Sequence, residues 1–598
     1  MAHPPSYEDA IADVDVVQLV CHYFDDTCLV NSSRVCTKWH STMNRRLWRD
    51  PFAFVASRPH PFRNAMQLIR KIKEIPVERT ARTLRFVMAL DFRPLLALGN
   101  DPAHNESFQH YEMYFSTRTA VMCSTYLPNL RFLYLAGLQV IDRDRPLWQT
   151  EDRVDRPRQL LLLDARGVRA LNCGLIPQHN AFGNLMFVDL SYTIRPEGFQ
   201  RIFSGGRFLN LRVLKLRGLK LTDSMLPDII LRSGHRLWSL DIRDNLLTVA
   251  GVQQLIDNCL QPLPPQLNDV TSLELVEAAP KYERDITLDH QSQTERLSIA
   301  CRPDDEASFT RYLNVRGNLL QPLGYVLDEK DDLLKATGLT NLHISGNKLN
   351  ASAVDIILPY MVHLKVLDVA SIRVHPSQSG RKYSYLTTTQ NTLPLIQSLG
   401  CCTEFLRIHH SAVTGTNTPI FSLSSLKYSL AYLRDAEKAK MAGKQKLFLP
   451  RDNYHLRHLT LTDIPTKSFG PVIHRLIDFL NDCVAQERVL RDAAHSVGLR
   501  HRRAPKLLSG LHTLRLEFMA EDTGLSNQSV GSASEDHDAD GFLRESEKDF
   551  SFFDDNQPRS VPVIKEEFVH DVLGTIKRWR KYSIHKWAGK LEIDLPHG

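Results

Sequence analysis

The phrase Leu-x-x-Leu-x-Leu, or a close aliphatic variant, returns along this chain, and it constrains the fold more than any other feature. It reads Leu130-Leu133-Leu135, Leu211-Leu214-Leu216, Leu237-Leu240-Ile242, Leu339-Leu342-Ile344, Leu364-Leu367-Val369, Leu456-Leu459-Leu461 and Leu511-Leu514-Leu516. Two copies carry an asparagine three positions on, Asn245 and Asn347. A unit this short cannot bury its apolar face alone. It must stack on its neighbours, so one short strand per unit is expected to line a curved solenoid. A surface of that kind is suited to binding other proteins.

Spacing adds the architecture. Units begin at Leu130, Leu160, Leu185, Leu211, Leu237 and Val270, in steps of 30, 25, 26, 26 and 33 residues. Leucine-rich repeats run about 20–29 residues, so the middle steps fit. After Leu221 the run Thr222-Asp223-Ser224 is a capping signal, and after Thr248 the run Val252 to Ile256 has helical spacing. Strand, turn, helix and return resembles the ribonuclease-inhibitor type of unit, which implies an α/β leucine-rich-repeat solenoid behind a small N-terminal helical module. A strand over Leu84-Arg85-Phe86 is expected to open the array.

The expected organisation is a leader at 1–12, a helical module at 13–50, and a basic connector at 51–80 with a helix near Asn64–Ile75. A first repeat block follows at 81–280, and a polar insertion at 281–335. A second block at 336–520 resumes at Leu339, Leu364, Thr403, Leu456 and Leu511, its steps of 25, 39, 53 and 55 residues stretched by inserts. Residues 521–562 hold eleven acids against Arg544, Lys548 and Arg559, a charge of −8, and are expected to be disordered. Residues 563–598 close the chain, with a helix over His570–Trp587 and a strand at Leu591-Glu592-Ile593.

Composition excludes little. The 598 residues are 43% hydrophobic and 24% charged, which suits a folded domain. The net charge of +6 is spread among acids and makes nucleic acid a poor partner. Ten scattered cysteines with no Cys-x-x-Cys fit a reducing compartment. No secretory signal or long apolar run appears, so cytosol or nucleus is expected, with no membrane contact.

Residues 16–50 carry a large apolar load for their length. Val16, Leu19, Val20, Tyr23 and Phe24 share one helical face; Leu29 starts a second helix that Val35, Cys36 and Trp39 continue. A segment this small rarely makes a stable core unaided, so it is expected to dock. The run Val35-Cys36-Thr37-Lys38-Trp39, followed by Leu47-Trp48-Arg49, resembles the F-box. The upstream Tyr23-Phe24-Asp25-Asp26 before Cys28-Leu29 fits that family's first helix and turn, whereas Ala12-Asp13-Val14-Asp15 stands where it carries Leu-Pro. The match covers about 35 residues, and its position ahead of the repeats is that of the F-box leucine-rich-repeat proteins. The resemblance implies a substrate receptor of a Skp–cullin–F-box ubiquitin ligase. In it, Val17, Val20, Phe24, Leu29, Val35, Trp39 and Trp48 would seat the Skp-type adaptor, and the cullin ligase would supply the catalysis. The chain itself would be no enzyme and would need no cofactor or metal. Aromatic anchors of this kind dominate interface energetics.

Strand alternation places the residue between the second and third repeat leucines on the concave face. That row is Tyr134, Asp189, Lys215, Asp241, Glu274, His343, Asp368, Arg407, Thr460 and Arg515. Phe132, Phe187, Arg217 and Arg243 flank it. The set expected to grip an unidentified protein target is Phe132, Tyr134, Phe187, Asp189, Lys215, Arg217, Asp241 and Arg243. Mixed signs and aromatics suit a protein better than a polyanion.

Other signals are shorter. Pro4-Pro5-Ser6-Tyr7 has the form of a WW-domain ligand and implies a WW-domain partner. His409-His410 after Cys401-Cys402 lacks the ligand set of a structural zinc site. Ser532–Asp536 is an acidic serine cluster, Ile564-Lys565-Glu566-Glu567 resembles a SUMO acceptor, and Arg500–Arg503 with Lys506 reads as an import patch or a solvated loop. Two rival readings remain: a leucine-rich-repeat scaffold with no ubiquitin role, and nucleic-acid binding through the basic stretch Ser425–Lys446.

Overall fold

The computed structural model describes residues 16–74, 83–138, 160–168, 183–193, 203, 208, 210–230, 236–259, 302–319, 339–349, 353, 356–357, 364–370, 403–414, 448–468, 471–496, 510–518, 570–583 and 586–595. The motifs at Pro4–Tyr7, Val270–Glu274, Ser425–Lys446, Arg500–Lys506, Ser532–Asp536 and Ile564–Glu567 lie outside them. The chain divides into two compact units, Met1–Arg407 with Arg503–Leu507, and Ile408–Arg502 with Leu508–Gly598.

The first unit is α/β. Its strands are β1 (Ala89–Asp91), β2 (Phe132–Tyr134), β3 (Leu162–Asp164), β4 (Phe187–Asp189), β5 (Val213–Lys215), β6 (Ser239–Asp241), β7 (Asn341–His343), β8 (Val366–Asp368) and β9 (Phe405–His409). They pair in chain order, each parallel to the next, in an open sheet that does not close on itself. The chain crosses into the second unit within β9. The repeat phrase specifies this register. The middle residues Leu90, Leu133, Leu163, Val188, Leu214, Leu240, Leu342, Leu367 and Leu406 are all buried and align strand by strand. The array opens one step later than the sequence suggested. Leu84–Phe86 is a 3-10 turn, and the first strand is Ala89–Asp91.

Strands β2 to β7 end in the same turn. The residue three positions past the third member of each takes a left-handed backbone: Gly137, Gly167, Tyr192, Gly218, Asp244 and Gly346, with φ between 56° and 78°. Glycine adopts this region without steric cost, and aspartate tolerates it better than most residues. The two repeat asparagines lock neighbouring units together. The Asn245 carboxamide accepts from the Leu219 and Leu221 N–H groups and donates to the Leu216 and Ile242 carbonyls. Asn347 accepts from Leu247 N–H and donates to the Ile242 and Ile344 carbonyls. Buried backbone groups at these turns are thus satisfied by side chains.

Fourteen helices are described, five of them ahead of the sheet. These are α1 (Val16–Val20), α2 (Asp26–Ser32), α3 (Thr37–Leu47), α4 (Pro51–Ala56) and α5 (Pro61–Glu74). The single helix expected from Leu29 through Trp39 is two helices, because the chain turns at Ser33-Arg34 and restarts at Cys36. Asp25 caps α2, its carboxylate accepting from Cys28 N–H at 2.6 Å, and Asp50 caps α4 through Ala53 N–H. The connector holds two helices, and its longer one starts at Pro61, three residues before Asn64. It is also firmly joined to the sheet: Phe52 stacks 4.3 Å from Phe92, and the Arg49 carbonyl accepts from Met88 and Ala89 N–H.

Between and after the strands lie α6 (Arg93–Gly99), α7 (Asn105–Gln109), α8 (Thr117–Thr125), α9 (Leu226–Ile230), α10 (Val249–Cys259) and α11 (Glu306–Leu319). The pair α9 and α10 buries Leu226, Ile229, Val252, Leu255 and Ile256. Strand β6 pairs directly with β7, so the sheet passes from Asp241 to Asn341 with no strand between them. Helices α10 and α11 both lie in the interval of chain between these two strands.

The second unit holds α12 (Ser411–Thr414), β10 (His458–Ile464), β11 (Lys467–Ser468), α13 (Pro471–Ser496), β12 (Thr513–Phe518), β13 (His570–Asp571), α14 (Val572–Tyr582) and β14 (Lys590–Asp594). Strands β10, β12 and β14 are parallel, with Leu459, Leu514 and Leu591 in register. The 26-residue α13 fills the step between Leu456 and Leu511. Its Gln486 donates to the Pro450 carbonyl and accepts from Leu511 N–H, stitching two loops to the helix. The final helix is shorter than His570–Trp587, because His570–Asp571 pairs with Lys467–Ser468 as a short antiparallel strand. Among the described residues, no helix is long and apolar enough to cross a membrane.

Candidate functional site

Two surfaces of the first unit concentrate the side chains singled out from the sequence. The first is the N-terminal helices. Cys21, Leu29 and Met43 form a small core, with Val17, Phe24, Trp39 and Leu47 packed against it. The Phe24 and Trp39 rings lie 6.1 Å apart. Four of the seven expected adaptor residues, Val17, Phe24, Leu29 and Trp39, thus face inward, and Trp48 is half-buried. Val20 and Val35 face out. Val16 and Tyr23 are exposed as well, and the exposures of Tyr23 (89%) and Val35 (67%) are unusual for such side chains. Tyr23 and Val16 were read from sequence only as part of a helical face.

The second surface is the face of the sheet opposite the middle leucines. Its register aligns two rows. The first strand positions give Ala89, Phe132, Leu162, Phe187 and Val213; the third give Asp91, Tyr134, Asp164, Asp189, Lys215, Asp241, His343, Asp368 and Arg407. Every expected row member that is described in this unit falls in the third row, as strand alternation requires. Asp91 and Asp164 belong to it as well and were not picked out from the sequence.

The acids of this row have internal partners. A carboxylate oxygen accepts from the backbone N–H two residues on at Asp91, Asp164, Asp189, Asp241 and Asp368. In three repeats that second residue is arginine, which folds back on the same carboxylate: Arg93 on Asp91, Arg166 on Asp164, Arg243 on Asp241. Cross-strand pairs extend the pattern, Arg93 to Asp164 at 3.2 Å, Arg166 to Asp189 at 3.4 Å, and Arg243 and Arg407 to Asp368 at 3.4 and 3.1 Å. Burial pushes the Asp189 carboxyl up to about 6, against the hydrogen bond from Ser191.

The insertion expected to lie outside the repeats covers this face. Phe309 of α11 is 0% exposed and shares a cluster with Phe132, Leu162, Phe187, Val213 and Trp238; its ring sits 5.3 Å from Phe187. One turn earlier, Glu306 takes two hydrogen bonds of 2.6 Å from the Arg93 guanidinium, which also stacks 4.0 Å over Tyr134. Tyr134 and Thr310 hydroxyls meet at 3.5 Å. At the head of the segment Asp304 bonds to Ser239 and lies 2.7 Å from His343 Nε2. Burial opposes a charge on His343, but its bond to Asp304 and the Asp368 carboxylate 3.8 Å from Nδ1 outweigh that and push its value up to about 9. Burial likewise works against ionised Asp304, and His343 more than offsets it, holding that carboxyl below the usual range.

Of the eight expected target residues, Phe132, Tyr134 and Phe187 therefore lie buried in the cluster that includes Phe309, and Asp189 and Asp241 are buried and bonded within the sheet. Lys215, Arg217 and Arg243 keep partial exposure. Lys215 lies 5.6 Å over the Phe187 ring, and Arg217 pairs with Asp244 at 2.5 Å. Among the described residues no group of three or more His, Cys, Asp or Glu is arranged to hold a metal. His410 is buried and bonds to Thr414 as a core residue does. No family model matches this chain, and no curated protein matches it either.

Proposed function

We propose that the chain is the substrate-recognition subunit of an SCF-type ubiquitin ligase, a leucine-rich-repeat solenoid whose N-terminal helices hold a Skp-type adaptor and whose polar sheet face holds the target. The observation that carries the reading is an exposed apolar set on these helices, Val16, Val20, Tyr23 and Val35. It stands on the helices with the F-box-like phrase, immediately ahead of the repeat sheet. Exposed aliphatic and aromatic groups clustered on a small module are what an obligate partner buries. The aligned turns and the asparagine locks support the repeat reading. The receptor would act by proximity, raising the local concentration of target lysines, and would carry no catalytic group. Such work belongs in the cytosol or nucleus.

The test is co-purification of the full chain with a Skp-type adaptor, beside the variant Val20→Ser/Tyr23→Ser/Val35→Ser. These three side chains are exposed, so the variant keeps its fold while losing the adaptor. Trp39→Ala is a poorer probe, because Trp39 packs in the module's own core.

A second reading has an observation in its favour. The helices continue directly onto β1 through Phe52, Phe92 and the Arg49 carbonyl, which suits a cap on a scaffold with no ubiquitin role. Failure of the wild-type chain to bind any Skp-type adaptor would decide for the cap.

A further inference from the structure

Segment 302–319 is bound to the sheet as a ligand would be bound. Only Phe309 is fully buried among its helical apolar residues that are described, with Leu313 partly so. The rest of the described hold is polar or charged: Glu306 on Arg93, Thr310 on Tyr134, Asp304 on His343 and Ser239, and Arg302 over the Trp238 ring at 5.4 Å. Water can replace each of these contacts, and a helix of this length is marginal by itself. A segment held by exchangeable polar contacts of this kind belongs to the low-stability end of a fold, where local opening occurs. The sheet beneath keeps its own asparagine locks and leucine row when the segment leaves.

We infer that segment 302–319 occupies in cis the site that a target takes in trans, and that the target presents the same pattern, Asp-x-Glu-x-x-aromatic. The inference rests on the reading of this sheet face as a binding surface. Its chemistry specifies the partner. The floor of Phe132, Leu162, Phe187 and Val213 takes an aromatic ring. Arg93 takes a carboxylate one helical turn before that ring. His343, flanked by Asp241 and Asp368 in the row and by Lys215 nearby, takes a second carboxylate two residues earlier still. A basic or purely apolar helix satisfies neither cation. The target competes with the segment and so must bind more tightly, or be present at higher local concentration, than a tethered copy.

The experiment uses a fluorescein-labelled peptide with the sequence of residues 302–319. It is titrated by anisotropy into the full chain and into its Glu306→Ala/Phe309→Ala variant at pH 6.5, with circular dichroism following the fold. The variant is expected to bind the peptide at least tenfold more tightly than the wild type. A peptide with Phe309→Ala is expected to lose that binding. Equal binding by both chains, or none by a folded variant, overturns the inference. Hydrogen exchange on the wild type covers a variant that does not fold. Exchange at 309–313 through an opening that leaves β5 and β6 protected supports it; exchange of helix and strands only together shows a fixed core element and overturns it. Neither result depends on a Skp-type adaptor, so the ubiquitin reading and this one fail separately.

Discussion

The N-terminal helices and the polar sheet face, the two proposed binding surfaces, treat apolar side chains in opposite ways. The helices leave Tyr23 and Val35 in water over a core of three fully buried side chains. The sheet face leaves almost nothing apolar in water: its aromatic row lies under Phe309, and its acids are tied to their own backbone and arginines. The difference teaches that exposure alone is a poor guide to where a chain binds. A permanently bare patch suits a constant partner, because apolar surface left open is an association hazard. A face filled by the chain's own segment suits a partner that comes and goes.

The largest expected effect sharpens the sheet half of this contrast. Asn245→Ala strands the Leu219 and Leu221 N–H groups and the Leu216 and Ile242 carbonyls. At about 1–3 kcal/mol for each buried group left unpaired, the loss is several kcal/mol, read from chemical denaturation. Nearly as large is Leu29→Ala, which removes a third of a small core at about 3 kcal/mol. It is expected to melt the N-terminal helices in a separate early transition while the sheet persists. A single joint transition would show that the module has no independent stability.

The pH dependence is smaller and has a definite sign. His343 sits at about 9 when folded, above its usual 6.5, so its contribution is complete below 6.5 and fades as pH rises through 9. Asp304 is held below its usual 3.8, so its share is present above that value and lost only in acid. Docking of α11 is therefore expected to be strongest between about pH 4 and 6.5 and to weaken toward pH 9. Hydrogen exchange at Phe309 measures this, and His343→Gln should flatten the upper limb. Smallest of all, Val35→Ser should change stability by less than about 0.5 kcal/mol, because the side chain is in water already. A larger loss would mean that the patch is part of the fold.

Much of the sheet was legible because its cause is local. The Leu-x-x-Leu-x-Leu phrase states which side chain points inward, and a strand's period of two then assigns the other face. Lys215, Asp241, His343, Asp368 and Arg407 all fall on the row so read. The docking of α11 was not legible. It depends on Arg93 meeting Glu306 across 213 positions, and no periodicity encodes that. Asp91-Phe92-Arg93, Asp164-Ala165-Arg166 and Asp241-Ile242-Arg243 did carry a signal: the repeated Asp-x-Arg marks carboxylates that are already paired. Helix α13 is also written in plain spacing, Val472, Leu476, Phe479 and Cys483, a helical period that the leucine phrase does not report. At the N-terminus, helical periodicity grouped Phe24 and Trp39 with Val20 and Val35, but it cannot say which side of a two-helix corner faces water.

The direct pairing of β6 with β7 also bears on how the chain finds its fold. Most strands of the array wait for a neighbour some 25–40 residues away, whereas β7 must reach back from Asn341 to Ser239. Loop closure grows only with the logarithm of length, so the detour adds roughly 1 kcal/mol to the barrier for that step. The array up to β6 can therefore assemble first and serve as a template. On a ribosome, Arg93 and the floor of Phe132, Leu162, Phe187 and Val213 would be in place before segment 302–319 has left the exit tunnel, whereas His343 follows it.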